Sequence, residues 1–315
     1  MTNDLQLDAS GRLQHLITLE GLGRERISAL LDRAAALRDA VANGAQGPQW
    51  LAGRTIVNLF FETSTRTRTS FELAARRLGA TVINFDIASS STSKGESLED
   101  TLATLEAMQV DAFVVRHKEN GTPARLAACC RRAAILNAGD GNHAHPTQGL
   151  LDALTIRDRH ADPSRLKVTI CGDIRHSRVA RSDLHALAAL GVSDVRLCGP
   201  EKLMPAAEEF PQYRRFDNFD AAIEGCEVVI MLRLQRERMI EALIGDEAEY
   251  FSRFGLDARR LRRAAADAMV MHPGPINRGI EIAEDIADGS QSVILEQVAN
   301  GVPVRMAALA ALLCR

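Results

Sequence analysis

Thr55-Ile56-Val57-Asn58-Leu59-Phe60-Phe61 runs straight into Glu62-Thr63-Ser64-Thr65-Arg66-Thr67-Arg68-Thr69-Ser70-Phe71-Glu72, and the reading of this junction decides the fold. The first part is a β-branched and aromatic run of strand length, and residues 66–78 repeat at helical spacing. Between them lies a cluster of hydroxyl residues able to cap a helix. The free N–H groups of a helix's first turn and the positive end of its dipole then face the turn, which makes an anion site. Arg66 and Arg68 fall in that first turn, where the macrodipole disfavours cations. An external anion such as a phosphate explains them better than helix stability does. An ordinary capped helix with two solvated arginines is the other reading of the same residues.

Outward from the junction the same alternation continues. After an amphipathic opening helix over residues 25–42, with Asn43-Gly44 as its stop signal, strands are expected at 55–61, 81–86, 111–116 and 133–137. Helices are expected between them at 66–78, 97–108 and 123–131. A second copy starts after Asp162-Pro163, with strands at 167–171, 194–198, 227–232 and 268–271 and helical segments at 177–190 and 220–223. This pattern predicts an α/β protein of two doubly wound parallel-sheet domains, 1–150 and 151–290. The join, residues 147–159, reads as a connecting helix because it is not rich in Gly, Ser or Pro. The tail over 293–313 is helical but contains Gly301 and Pro303, so it reads as two helices meeting at a corner.

The bulk properties suit two cores. The chain has 315 residues, 46% hydrophobic and 25% charged, which excludes a mainly disordered protein. A net charge of -3 leaves no global basic excess, so nucleic acid is not an expected partner and any anion bound is small. Six cysteines show no C-x-x-C spacing and read as reduced thiols. The N-terminal residues lack a signal pattern and no apolar run reaches membrane-span length, so a soluble cytoplasmic protein is expected.

Six further segments end a strand in polar residues. Ser89-Ser90-Ser91-Thr92-Ser93-Lys94-Gly95-Glu96-Ser97 leads into a helix whose Asp100 completes a capping-box pattern; by composition it is a solvated connection. Arg116 closes a strand, and strand carboxyl ends are where open α/β sheets place ligands, although a lone Arg there is commonly solvated. In Gly139-Asp140-Gly141-Asn142-His143-Ala144-His145-Pro146-Thr147-Gln148, the two histidines and Asp140 could hold a metal; no H-E-x-x-H or C-x-x-C spacing supports that. Gly172-Asp173-Ile174-Arg175-His176-Ser177-Arg178 opens a helix without the G-x-G-x-x-G of dinucleotide folds. Arg233-Leu234-Gln235 extends a strand into charged sequence, which a solvated helix start would also explain. Finally, His272-Pro273-Gly274-Pro275-Ile276-Asn277-Arg278-Gly279 contains two prolines that cannot donate, leaving carbonyl oxygens to orient an amide.

The Ser64-Thr65-Arg66-Thr67-Arg68 run resembles the carbamoyl-phosphate signature of the aspartate and ornithine carbamoyltransferases, and at least five of the other elements follow in that family's order. The resemblance covers nearly the whole chain. It implies transfer of a carbamoyl group from carbamoyl phosphate to an amino acid, without metal or cofactor. Ser64, Thr65, Arg66 and Thr67 would hold the phosphate; Thr67, Arg116 and His145 would polarise the carbonyl, and Gln148 would approach the carbamoyl nitrogen. By the same resemblance Ser90 and Lys94 reach a neighbouring subunit's site, which implies a homotrimer with shared sites, and a terminal helix at about 291–315 packs back on the first domain. Arg178 would take the amino-acid carboxylate, Arg233 and Gln235 the side-chain carboxylate of aspartate, and Pro273 and Gly274 would offer carbonyls.

Aspartate is therefore the expected acceptor, in pyrimidine synthesis. Ornithine's ammonium would be repelled by Arg233, and the Cys-Leu-Pro element usual in ornithine-type relatives is missing. An ornithine enzyme, or a non-catalytic anion-binding relative, is the alternative. A further assembly with a dihydroorotase-like chain is preferred over one with a regulatory chain.

Overall fold

The computed structural model describes residues 5–42, 47–85, 96–234 and 246–314. The chain divides into two compact units, residues 1–154 with 299–315, and residues 155–298.

In the first unit the opening helix Arg24–Ala42 buries Ile27, Leu30, Leu31, Ala34 and Leu37 along one stripe. The sheet is formed by β1 (Thr55–Phe60), β2 (Thr81–Phe85), β3 (Ala112–His117) and β4 (Ala134–Asp140), all parallel and in the order β2-β1-β3-β4. Because helices cover both faces, β1 and β3 are apolar almost throughout. Val57, Leu59, Phe113, Val115 and Ile135 meet Leu102 and Leu126 in one core. The chain leaves β1 for the edge strand β2 and returns on the other side as β3, so the strand order reverses between β1 and β3.

β4 runs three residues past the expected 133–137. The strand's end, Asn137 to Asp140, includes two polar side chains, yet every residue is buried: Asn137 donates to Ile17 O at 2.9 Å and to Asp140 Oδ1 at 2.8 Å, and accepts from Gly139 N at 2.8 Å. Such pairing removes the desolvation cost that makes polar residues look like loop.

The second unit holds β5 (Lys167–Cys171), β6 (Asp194–Cys198), β7 (Arg214–Phe216), β8 (Val228–Met231) and β9 (Met269–Met271), parallel in the order β7-β6-β5-β8-β9, with the reversal between β5 and β8. One face carries Val168, Ile170, Leu184 and Leu187, the other Phe219, Tyr250, Phe254 and Ile282. Among the described residues, the pattern did not lead one to expect β7 or the helices Glu247–Phe254, Ala258–Leu261 and Glu284–Ala287. β7 has only three residues, two of them arginines, so no alternation shows.

The tail corrects an expectation. Instead of two helices at a corner, Ile294–Leu313 is one helix with Pro303 inside it. A proline within a helix costs about 3 kcal/mol. Val304, Met306 and Leu309 are each almost fully buried, at about 1.5–3 kcal/mol apiece, so packing outweighs the lost backbone bond. No helix among the described residues is long and apolar enough to cross a membrane.

Candidate active site

β1 and β3 lie side by side at the reversal point, with Phe60 in register with Arg116, and Phe61 N donates to Arg116 O at 2.8 Å. The chain leaving β1 passes Glu62 and turns into the helix Thr65–Arg77. Ser64 takes the N-cap position in an extended conformation, but its hydroxyl makes no capping bond, contrary to the simplest reading of the hydroxyl cluster. The first turn therefore presents backbone N–H groups without a side-chain acceptor from Ser64. Thr65 and Arg66 in that turn are exposed and Thr67 is buried.

Arg116 is not the solvated arginine that an isolated strand-end residue suggests. Its Nη1 donates to Ala138 O at 3.1 Å, and its Nε lies 3.3 Å from the Glu62 carboxylate, which fixes the guanidinium between β4 and the turn after β1. The adjacent His117 faces the core, edge-on to Phe61 with ring centroids 5.1 Å apart. Burial lowers its pKa, so the ring stays neutral and structural.

β4 ends in a turn organised by Asp140, whose carboxylate accepts from Gly121 N at 2.7 Å, Asn137 Nδ2 at 2.8 Å and Ala144 N at 3.1 Å, and pairs with His143 at 3.1 Å. Burial pulls the Asp140 pKa up, but His143 and these donors prevail and hold it below the usual carboxylate value. The Asp140–His143 pair is thus accounted for by the fold of the turn. His145, buried, sits just before the helix Pro146–Arg159, and its carbonyl accepts from Gln148 N at 2.9 Å. The Gln148 side chain is oriented by Asp152, one helical turn on, at 3.1 and 3.2 Å. The strand exits of β1, β3 and β4 thereby carry Ser64 to Thr67, Arg116, His145 and Gln148 at one end of one sheet.

Beneath this end lies a cation that sequence reasoning missed. Arg305 of the C-terminal helix is buried, stacked 4.9 Å from the Phe71 ring centroid, and its Nη1 donates to Gly301 O at 2.8 Å. Burial pushes its pKa down to about 9; Asp152 opposes this and the positive charges of Arg116 and Arg66 add to it.

In the second unit the exit of β5 passes Gly172 and Asp173 to Ser177, whose hydroxyl caps the helix Arg178–Leu190 by accepting from Ala180 N at 3.1 Å. Arg178 is the first helical residue, and Asp173, almost fully buried, pairs with His176 at 2.8 Å. Gly172 has φ +132, and a Cβ there would fall 3.0 Å from Leu232 Cβ and 3.1 Å from Leu232 O, so this close approach to the exit of β8 needs glycine. Arg233 follows Leu232 and is exposed. After β9 come Pro273 and Gly274, the latter with φ +61 and a cis bond to Pro275. Arg178, Arg233 and Gly274 thus leave three neighbouring strands of the second sheet. Ser90, Lys94 and Gln235 lie outside the described residues.

Two sequence profiles of one family match the chain in succession: the aspartate/ornithine carbamoyltransferase carbamoyl-P binding domain over residues 14–158, and the Asp/Orn binding domain over residues 164–312. The chain is 57% identical over 311 residues to the aspartate carbamoyltransferase catalytic subunit of Stenotrophomonas maltophilia (strain R551-3), covering 98% of each. It is 56% identical to the protein of that name from Xanthomonas campestris pv. campestris (strain B100), over 98% of this chain and 99% of the relative. Among solved structures it is similar to aspartate transcarbamoylase from Trypanosoma cruzi in complex with carbamoyl phosphate and aspartate, with TM-score 0.86, 30% identity and 99% of each chain covered. It is also similar to ornithine carbamoyltransferase from Pyrococcus furiosus, with TM-score 0.85, 26% identity, and 94% of this chain and 96% of that one covered.

Proposed function

The chain belongs to the aspartate/ornithine carbamoyltransferase family, and we propose that it transfers the carbamoyl group of carbamoyl phosphate to L-aspartate, giving N-carbamoyl-L-aspartate and phosphate in pyrimidine synthesis. The observation that carries this reading is the convergence of an uncapped helix N-terminus, Arg66 and the braced Arg116 at one sheet end. It suits a compact, highly charged donor such as an acyl phosphate. The acceptor follows from the 57% identity to a chain named for aspartate and from Arg233, which complements a carboxylate and repels ornithine's ammonium.

In this reading the first unit binds carbamoyl phosphate through Ser64, Thr65, Arg66 and Thr67. Thr67, Arg116 and His145 polarise the carbonyl, and Gln148, held by Asp152, takes the carbamoyl nitrogen. The aspartate amine attacks the carbonyl carbon, a C–N bond forms, and negative charge builds on the carbonyl oxygen where these donors stabilise it. The C–O bond to phosphate then breaks, and the departing phosphate accepts the amine proton. No protein nucleophile or cofactor enters the step. The second unit holds aspartate through Arg178, whose fork suits a carboxylate, and through Arg233 and Gln235, while the Pro273 and Gly274 carbonyls accept from a substrate amine or amide N–H. Ser90 and Lys94 complete a neighbouring subunit's site, so the working species is a cytoplasmic homotrimer, with a dihydroorotase-like chain as the preferred larger assembly.

The test is a steady-state assay of the purified chain with carbamoyl phosphate and either L-aspartate or L-ornithine. Carbamoylated product with aspartate alone is expected; product with ornithine alone would overturn the acceptor assignment.

A further inference from the structure

His272 and Glu281 are both fully buried, an expensive placement for an imidazole and a carboxylate unless their polar atoms are paired. The Gly274 amide donates to His272 Nδ1 at 2.7 Å, which makes Nδ1 an acceptor and assigns the ring proton to Nε2. Nε2 then donates to Glu281 Oε1 at 3.0 Å. The same Oε1 accepts from Asn277 N at 2.6 Å, and Asn277 Nδ2 donates to Leu234 O at 2.7 Å. The far end is anchored where His272 N donates to Gln297 Oε1 at 2.9 Å. One unbroken chain of hydrogen bonds therefore links the turn after β9, at Gly274, to the segment after β8, at the residue next to Arg233.

The turn's chemistry gives this chain a purpose. Between residues 273 and 275 only Gly274 has an amide N–H, since its neighbours are prolines, and His272 occupies it. What remains for a ligand is carbonyl oxygen, suited to an amine or amide donor and unsuited to an anion. Leu234 O, by contrast, is already taken by Asn277, so the backbone beside Arg233 is held from within the protein.

We propose that His272, Glu281 and Asn277 are positioning residues for the amino-acid acceptor, setting the Gly274 carbonyl turn and the Arg233 segment in fixed relation. This rests on the aspartate reading of the site. Asn277 is the place to test it, because it is only partly buried and its side chain makes the link to Leu234. Asn277→Ala removes that link, and Asn277→Asp removes it at constant size. Both variants should raise the KM for aspartate about tenfold, as expected for one lost hydrogen bond to a positioned group, while the KM for carbamoyl phosphate and the melting temperature stay at wild-type values. An unchanged aspartate KM in both variants would overturn the positioning role. So would an equal rise in both KM values accompanied by a lower melting temperature, which marks a merely structural part. Failure of the wild-type protein itself to carbamoylate aspartate would instead overturn the reading of the site on which the role depends.

Discussion

A guanidinium donates along fixed directions, so its usefulness at a reacting carbonyl depends on what holds it. Arg116 is held twice, by Ala138 O and by Glu62. Neither partner was legible from sequence as a partner: Glu62 stands in the junction itself, but its pairing with a residue 54 positions later follows only from the β1–β3 register. If Arg66 and Arg116 act on developing charge, replacing either by Ala should lower kcat by roughly 10²–10³-fold while the fold persists. Near-normal turnover in either variant would remove it from the mechanism. His15 makes a separate, pH-dependent prediction. It is buried, its Nδ1 accepts from Ile135 N at 2.9 Å, and burial lowers its pKa from 6.5 to about 4. A folded-state value below the unfolded one means that the unfolded chain binds the proton more readily between those limits. The stability this neutral ring contributes is therefore complete above pH 6.5 and lost as pH falls towards 4. Near pH 5 the loss amounts to about 2 kcal/mol. Urea titrations at pH 7 and pH 5 should show that loss in the wild-type protein and a smaller one in His15→Asn, which keeps an acceptor for Ile135 without the titration.

At the scale of elements, what the sequence makes legible is whatever repeats. Apolar runs with period-2 or 3.6 spacing marked β1, β3, β5, β6 and their helices within a residue or two, because both faces of a covered parallel sheet must be apolar. The polar strand exits at Arg116, His145 and Arg178 are visible for the complementary reason, that the apolar pattern stops there. The short edge strand β7 was hidden by its arginines, and the buried polar end of β4 by its dependence on Asn137, whose partners come from other segments. The C-terminal helix departs from its sequence pattern because Pro303 opposes it by propensity alone, whereas the residues around that proline are buried. Arg305 on that helix shares a field with Arg66 and Arg116. Three like charges near one sheet end repel, and an anion bound there relieves the repulsion. Phosphate should accordingly raise the melting temperature of the wild-type protein, and should raise it less in Arg305→Met, whose own stability stays close to wild type because the desolvated charge is gone. An equal phosphate shift in the two proteins would show that Arg305 does not sense the anion.

For the whole molecule, each unit has its own parallel sheet, its own core and its own reversal of strand order, and the boundaries at 154/155 and 298/299 fall inside the helices Pro146–Arg159 and Ile294–Leu313. Under the proposed function each unit binds one substrate, which would account for arginines at strand exits in both halves of the chain. The proposed trimer extends that division between chains, since Lys94 of one subunit would serve the site that contains Arg178 of the next. This arrangement has a consequence that no arrangement of self-contained subunits shares. Lys94→Ala and Arg178→Ala should each be nearly inactive alone. When the two variants are mixed, dissociated and reassembled, hybrid trimers contain sites with an intact Arg178 from one chain and an intact Lys94 from the other, so activity should reappear. Were Lys94 to act within its own chain, every site in every hybrid would lack one of the two residues, and the mixture would stay as inactive as its parents. Recovery measured against the separately treated variants therefore decides whether a site is completed across the subunit boundary.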